Sequence, residues 1–137
     1  MNKYEWRATW VGAGVAVVLS IVLAVIAHAL EPTINGPGSR TVAPPVLWAV
    51  GGGIGLSVGA FLASLLTGRW WTGAQAAVLG GLAFLVLVIL GYNDKSLRLE
   101  DQVVGSLIIV VLGPFLIALA AAWVGKLASR LLHRSAV

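Results

Sequence analysis

Four stretches of this chain, Thr9 to Leu30, Val46 to Thr67, Gly73 to Tyr92 and Val103 to Val124, contain no Asp, Glu, Lys or Arg. A hydrocarbon layer about 30 Å thick is crossed by roughly 20 apolar helical residues, since each rises about 1.5 Å and every backbone amide must find its partner inside the segment. Each stretch meets that length. The chain therefore reads as an all-α, polytopic membrane protein, with four transmembrane helices in a compact bundle and an amphipathic basic tail over residues 125–137. The spans take roughly 86 of the 137 residues, by the length rule that defines them, and leave no room for an extramembrane domain.

Composition agrees. The chain is 59% hydrophobic and 10% charged, whereas soluble domains are about a quarter charged and disordered chains are poor in apolar residues. With no cysteine, disulfides, thiolate metal sites and cysteine nucleophiles are excluded.

Charge sets the expected orientation. With four spans, both termini and the short loop between the second and third spans share one side, which holds Lys3, Arg7, Arg69, Lys126, Arg130 and Arg134. The opposite side holds Arg40, Lys95 and Arg98. Basic residues in short loops stay inside, which predicts cytoplasmic termini in a multi-pass plasma-membrane protein. The net charge of +4 is thus read as topology, and no nucleic-acid partner is inferred. Ala27, His28 and Ala29 also fit a signal-peptide cleavage pattern behind a basic leader; the long apolar run and Glu5 in the leader favour a retained span. Trp6, Trp10, Trp70, Trp71 and Trp123 fall at the expected cytoplasmic edge, with Trp48 and Tyr92 at the outer one. An interfacial aromatic belt accounts for them. Arg69 after the second span, and Glu100 and Asp101 before the fourth, complement the partial charges of helix ends.

Helices in lipid associate chiefly through close approach, which small residues permit. In the second span Gly51, Gly55, Gly59, Ala63 and Thr67 recur every fourth residue, with Gly52 and Gly53 widening the groove. Gly12, Ala16, Ser20 and Ala24 answer on the first span, and Gly73, Ala77 and Gly81 on the third, with Ala76 and Gly80 beside them. The partner of the glycine face is open at this level: another helix of the chain or a second copy. Pro114, preceded by Gly113, predicts a kink in the fourth helix, either packed on a neighbour or lining a binding path. Beyond Trp123, Val124, Leu127, Ala128 and Leu131 share one face; Lys126, Arg130, His133 and Arg134 take the other, where they suit anionic lipid headgroups.

Chemistry-bearing residues are few. An ionisable group inside a span is the usual mark of transport or proton relay, and the spans contain none; Glu31 lies beyond the first, which disfavours a proton-coupled small multidrug exporter. His28 is the one candidate cofactor ligand, suited to an axial iron or chlorin bond or a quinone pocket. Asp94, Glu100 and Asp101 share a loop with Lys95 and Arg98, where mutual pairing explains them.

The stretch GGGIGLSVGAFLASLLTGRWWTGAQAAVLGGLAFLVLVIL resembles the Gly-rich central hairpin of a family of uncharacterised small four-helix bacterial membrane proteins. The opening MNKYEWRATWVGAGVAVVLSIVLAVIAHAL is similar to their first helix. That resemblance covers about two thirds of the chain, implies a four-helix bundle and brings no activity. The expected function is non-enzymatic and cofactor-free: packing against other membrane subunits or itself, as an accessory subunit of a membrane complex such as a respiratory or photosynthetic assembly, or as a homo-oligomer. The alternative is a small oligomeric transporter or pore, its path lined by Pro114 and the glycine face.

Overall fold

A computed structural model describes the backbone of residues 2–35, 44–92 and 103–136, and the side chains of 2–27, 29–30, 50–86 and 112–136. It is all-helical, with four helices: α1 (Lys3–Asn35), α2 (Pro44–Thr67), α3 (Trp70–Tyr92) and α4 (Val103–Ser135). Lys3–Ala27, Val50–Thr67 and Leu112–Ser135 are each long and apolar enough to cross a membrane, and the described part of α3, Trp70–Val86, is a shorter apolar helix.

The helices outrun the apolar spans because a helix ends where its backbone partners end, not where lipid does. α1 starts six residues before Thr9. Its first turn is closed by Asn2 and Glu5: the Trp6 N–H bonds the Asn2 carbonyl at 3.1 Å, and the Asn2 N–H donates to Glu5 Oε2 at 3.4 Å. The Glu5 contact is the half of a capping box in which the side chain three residues on reaches back to the cap N–H. α2 opens on Pro44 and Pro45, residues whose missing N–H costs nothing in a first turn. α4 runs unbroken through Pro114 to Ser135, so the basic tail and the fourth span are one rod.

α2 is the hub. It packs against α1, α3 and α4, whereas α1 and α4 do not touch each other among the described residues. Three consecutive glycines show how one helix serves three neighbours. A Cβ on Gly51 would stand 3.1 Å from the Ala24 backbone nitrogen of α1, one on Gly52 would press on the Phe84 ring of α3 at 2.5 Å, and one on Gly53 would meet Pro114 of α4 at 3.7 Å. Successive helical positions differ by about 100°, so this triplet sweeps about 200° of the α2 surface. Gly52 and Gly53, read from the sequence as widening the groove of Gly51, Gly55 and Gly59, face α3 and α4.

The interior is made of small residues. Of the 13 buried hydrophobic residues among those described, all are alanine except Leu56 and Phe84. Large apolar side chains point outward: Val18 and Val25 on α1, Leu82 on α3, Leu116 and Leu131 on α4 are each more than half exposed. A soluble bundle is built the other way round.

Candidate functional site

The α1–α2 seam holds most of the small residues singled out above. Gly51 lies against Ala24, Gly55 against Ser20 and Ala16, Gly59 against Ala16 and Gly12, and the Gly12 position meets Ala63 at 2.8 Å. Backbones come this close only where no side chain intervenes. The Ser20 hydroxyl donates across the seam to the Gly52 carbonyl at 3.4 Å. On α3, Gly73 fits between Ala60 and Ser64 of α2 and Ala122 of α4, and Ala77 is fully buried. Within the chain a Cβ on Gly81 would meet nothing within 4 Å, while Gly80, beside it, is pressed on Ala16 and Leu56 at 3.0 Å. A step of four advances 400°, so two steps from Gly73 carry Gly81 about 80° off the seam; a step of seven returns Gly80 to within about 20° of it.

α4 supplies a seam that the sequence pattern does not reveal. Pro114, Ala118, Ala122, Gly125 and Ser129 are buried, and a Cβ on Gly125 would stand 2.5 Å from the Phe61 carbonyl of α2. Their spacing of four, four, three and four is helical, but it is hidden in a run of alanines. On the apolar face of the tail, Val124, Leu127 and Leu131 are exposed.

At one end of the bundle the α1 N-terminus, the α2–α3 turn and the last turns of α4 come together. Two residues make that turn. Gly68 adopts φ +67°, a left-handed conformation in which its N–H closes on the Ser64 carbonyl at 2.8 Å; a side chain there would be strained. Thr67 donates to the Ala63 carbonyl at 2.8 Å and bonds the Thr72 hydroxyl, and Thr72 Oγ1 lies 2.6 Å from the Arg69 carbonyl. Two contacts bind α1 to the turn: Tyr4 Oη donates to the Leu66 carbonyl at 3.2 Å, and Glu5 Oε1 pairs with Arg69 at 2.7 Å. Arg69, read from the sequence as a partner of the helix end, therefore has a carboxylate 64 positions away.

Beside this turn lies an open cavity of about 510 Å³, walled by residues 66–68 of the turn and by Ser129, Arg130, His133 and Arg134 of α4. Of the three basic residues assigned to lipid headgroups, Arg130 and Arg134 line it. Lys126 does not; its ammonium lies 5.4 Å from the Trp123 ring centroid, a cation–π distance. The other tryptophans of this end also pair: Trp6 and Trp10 edge to face with centroids 5.5 Å apart, Trp70 and Trp71 stacked at 4.3 Å. The His28 side chain, the candidate cofactor ligand, lies outside the described residues, as do the loop carboxylates Asp94, Glu100 and Asp101.

Among the described residues no three His, Asp or Glu side chains gather where a metal ion would sit. Among the described residues three buried polar atoms have no hydrogen-bond partner: Thr9 Oγ1, Ser64 Oγ and Gln75 Oε1. No protein-family model, curated protein or solved structure matches this chain.

Proposed function

We propose that the chain is a four-span membrane protein with both termini cytoplasmic, acting without catalysis through helix packing, as an accessory subunit of a membrane complex or as a homo-oligomer. The observation that carries this reading is the inverted distribution of side-chain size: alanine and glycine inside, valine, leucine and isoleucine outside. Water would penalise such a surface at about 25 cal/mol per Å² of apolar area, whereas acyl chains would not. Lipid or another apolar helix is the environment that suits it. The resemblance of the central hairpin to small four-helix bacterial membrane proteins supports the same architecture.

Two residues of the alternative, an oligomeric transporter or pore, are packed within the chain. Gly55 is closed off by Ala16 and Ser20, and Pro114 is buried on Gly53, so neither opens onto a path within one chain.

Two experiments test the proposal. The absence of native cysteine makes single-cysteine labelling clean: Ser39→Cys and Ser96→Cys should react with an impermeant maleimide on intact cells, and Ser135→Cys only after permeabilisation. The reverse pattern would refute the orientation. Purification from native membranes in mild detergent should give a homo-oligomer or a stoichiometric complex. A lone monomer with nothing copurifying would refute the packing role.

A further inference from the structure

Arg130, His133 and Arg134 leave α4 within little more than one turn and line the same open cavity against the α2–α3 turn. Like charges spaced i, i+4 repel on a helix surface, and an anion between them removes that repulsion. The acid near this end, Glu5, is already engaged by Arg69 and the Asn2 N–H, and no carboxylate is among the residues walling the cavity. Its floor offers a further donor: Ser129 is 5% exposed, and its hydroxyl oxygen lies 3.2 Å from where a Cβ on residue 68 would stand, so glycine at 68 keeps the floor open. Two guanidinium groups and a hydroxyl lining one cavity match the several oxygens of a phosphate better than the two of a carboxylate.

The rim says which phosphate. Leu66 lines the cavity, and Leu131 and Leu132 beside it are about half exposed or more, an apolar lip suited to acyl chains. The exposed indoles of Trp71 and Trp123 mark this level as the headgroup boundary. We propose that this cavity binds the phosphate of an anionic phospholipid, held by Arg130, Arg134 and Ser129 with His133 at its side. The assignment rests on the membrane reading above and adds a defined lipid site to it.

The full-length protein, delipidated in an uncharged detergent, is incubated with phosphatidylglycerol, phosphatidylcholine or inorganic phosphate, and bound molecules are counted by native mass spectrometry. Phosphatidylglycerol is expected to bind one per chain and at least about tenfold more tightly than the zwitterionic lipid. The Arg130→Gln/Arg134→Gln double variant should weaken it about thirtyfold, at roughly one charge-equivalent per arginine. Arg7→Gln, a basic residue at the same end but outside the cavity, should leave it unchanged. The Arg130→Lys/Arg134→Lys variant, which keeps both charges but not the guanidinium groups, should bind more tightly than the double glutamine variant and less tightly than the unaltered chain, which a misfolded protein would not do. Equal losses in Arg7→Gln and the double glutamine variant would reduce the effect to diffuse charge attraction and overturn the site. Unchanged binding in the double glutamine variant would assign the arginines to the helix C-terminus alone and overturn the site as well. Displacement of the lipid by millimolar inorganic phosphate would overturn the lipid assignment in favour of a soluble anion. Recovery of the chain in the soluble fraction without detergent would instead refute the membrane reading, whatever the binding result.

Discussion

The α1–α2 seam and the turn end of the bundle are held by opposite means. Along the seam, Gly51, Gly55 and Gly59 face Ala24, Ser20, Ala16 and Gly12, and what holds the helices is the lack of anything between their backbones. At the turn end, Glu5 reaches Arg69, Tyr4 reaches Leu66, and Thr67 and Thr72 share a network. The first region works by close fit and tolerates no added atom. The second works by polar partners, many of them facing water, and each is worth little alone.

The largest test of this contrast is Gly55→Leu. Its side chain would run into the Ser20 backbone nitrogen, 2.6 Å from the Cβ position, and the Ala16 carbonyl at 2.8 Å. A loss of about 3 kcal/mol, or failure to assemble, is expected in detergent unfolding; a native-like melting temperature would mean that α1 does not occupy this face. Next comes a matched pair on α1. Gly12→Val should cost about 2 kcal/mol, because its Cβ meets Ala63 and Gly59; Gly14→Val, two residues on with nothing within 4 Å, should stay within about 0.5 kcal/mol. Equal effects in the two would break the argument that packing, and not helix propensity, makes glycine necessary at position 12.

Moving to the turn, Gly68→Val should lower stability by about 1–2 kcal/mol, since a branched residue is strained at φ +67°. Ser129→Ala in the Gly68→Ala background would separate that strain from the crowding of Ser129, whose hydroxyl lies 3.2 Å from the Cβ position. Smallest of all is the Glu5 and Arg69 double-mutant cycle, for which a coupling energy below about 1 kcal/mol is expected with an arginine 68% exposed. A larger value would show that the turn end is less wet than its exposure indicates.

The four helices are legible because an unbroken apolar run of about 20 residues is the length a lipid-crossing helix requires and is rare in chains that fold in water. The α1–α2 seam has equal periods on both helices, and two ridges that repeat at every fourth residue stay in step over several turns. The α4 seam is hard to see because Ala118, Ala122, Gly125 and Ser129 alternate their spacing, so no single repeat length picks them out. Gly81 leaves the α3 seam for the converse reason: a repeat of four, extended along α3, passes the point where a 3.6-residue period carries it off the face. The Glu5 pair with Arg69, and the joining of residues 66–68 to Arg130 and Arg134 around one cavity, are contacts between segments some 60 positions apart. Local charge rules assign such residues to the nearest helix end, and only the fold supplies the distant partner.

The glycine triplet at 51–53 bears on the order in which the bundle is completed. α1, α2 and α3 can settle together as soon as they leave the ribosome, since Gly51 and Gly52 need only Ala24 and Phe84. Gly53 and the Phe61 carbonyl wait for Pro114 and Gly125 of α4, which follows the other three helices in the chain. A chain interrupted before Val103 would therefore hold a closed three-helix unit with one bare glycine flank, the kind of half-finished surface that membrane proteases and stray helices find first.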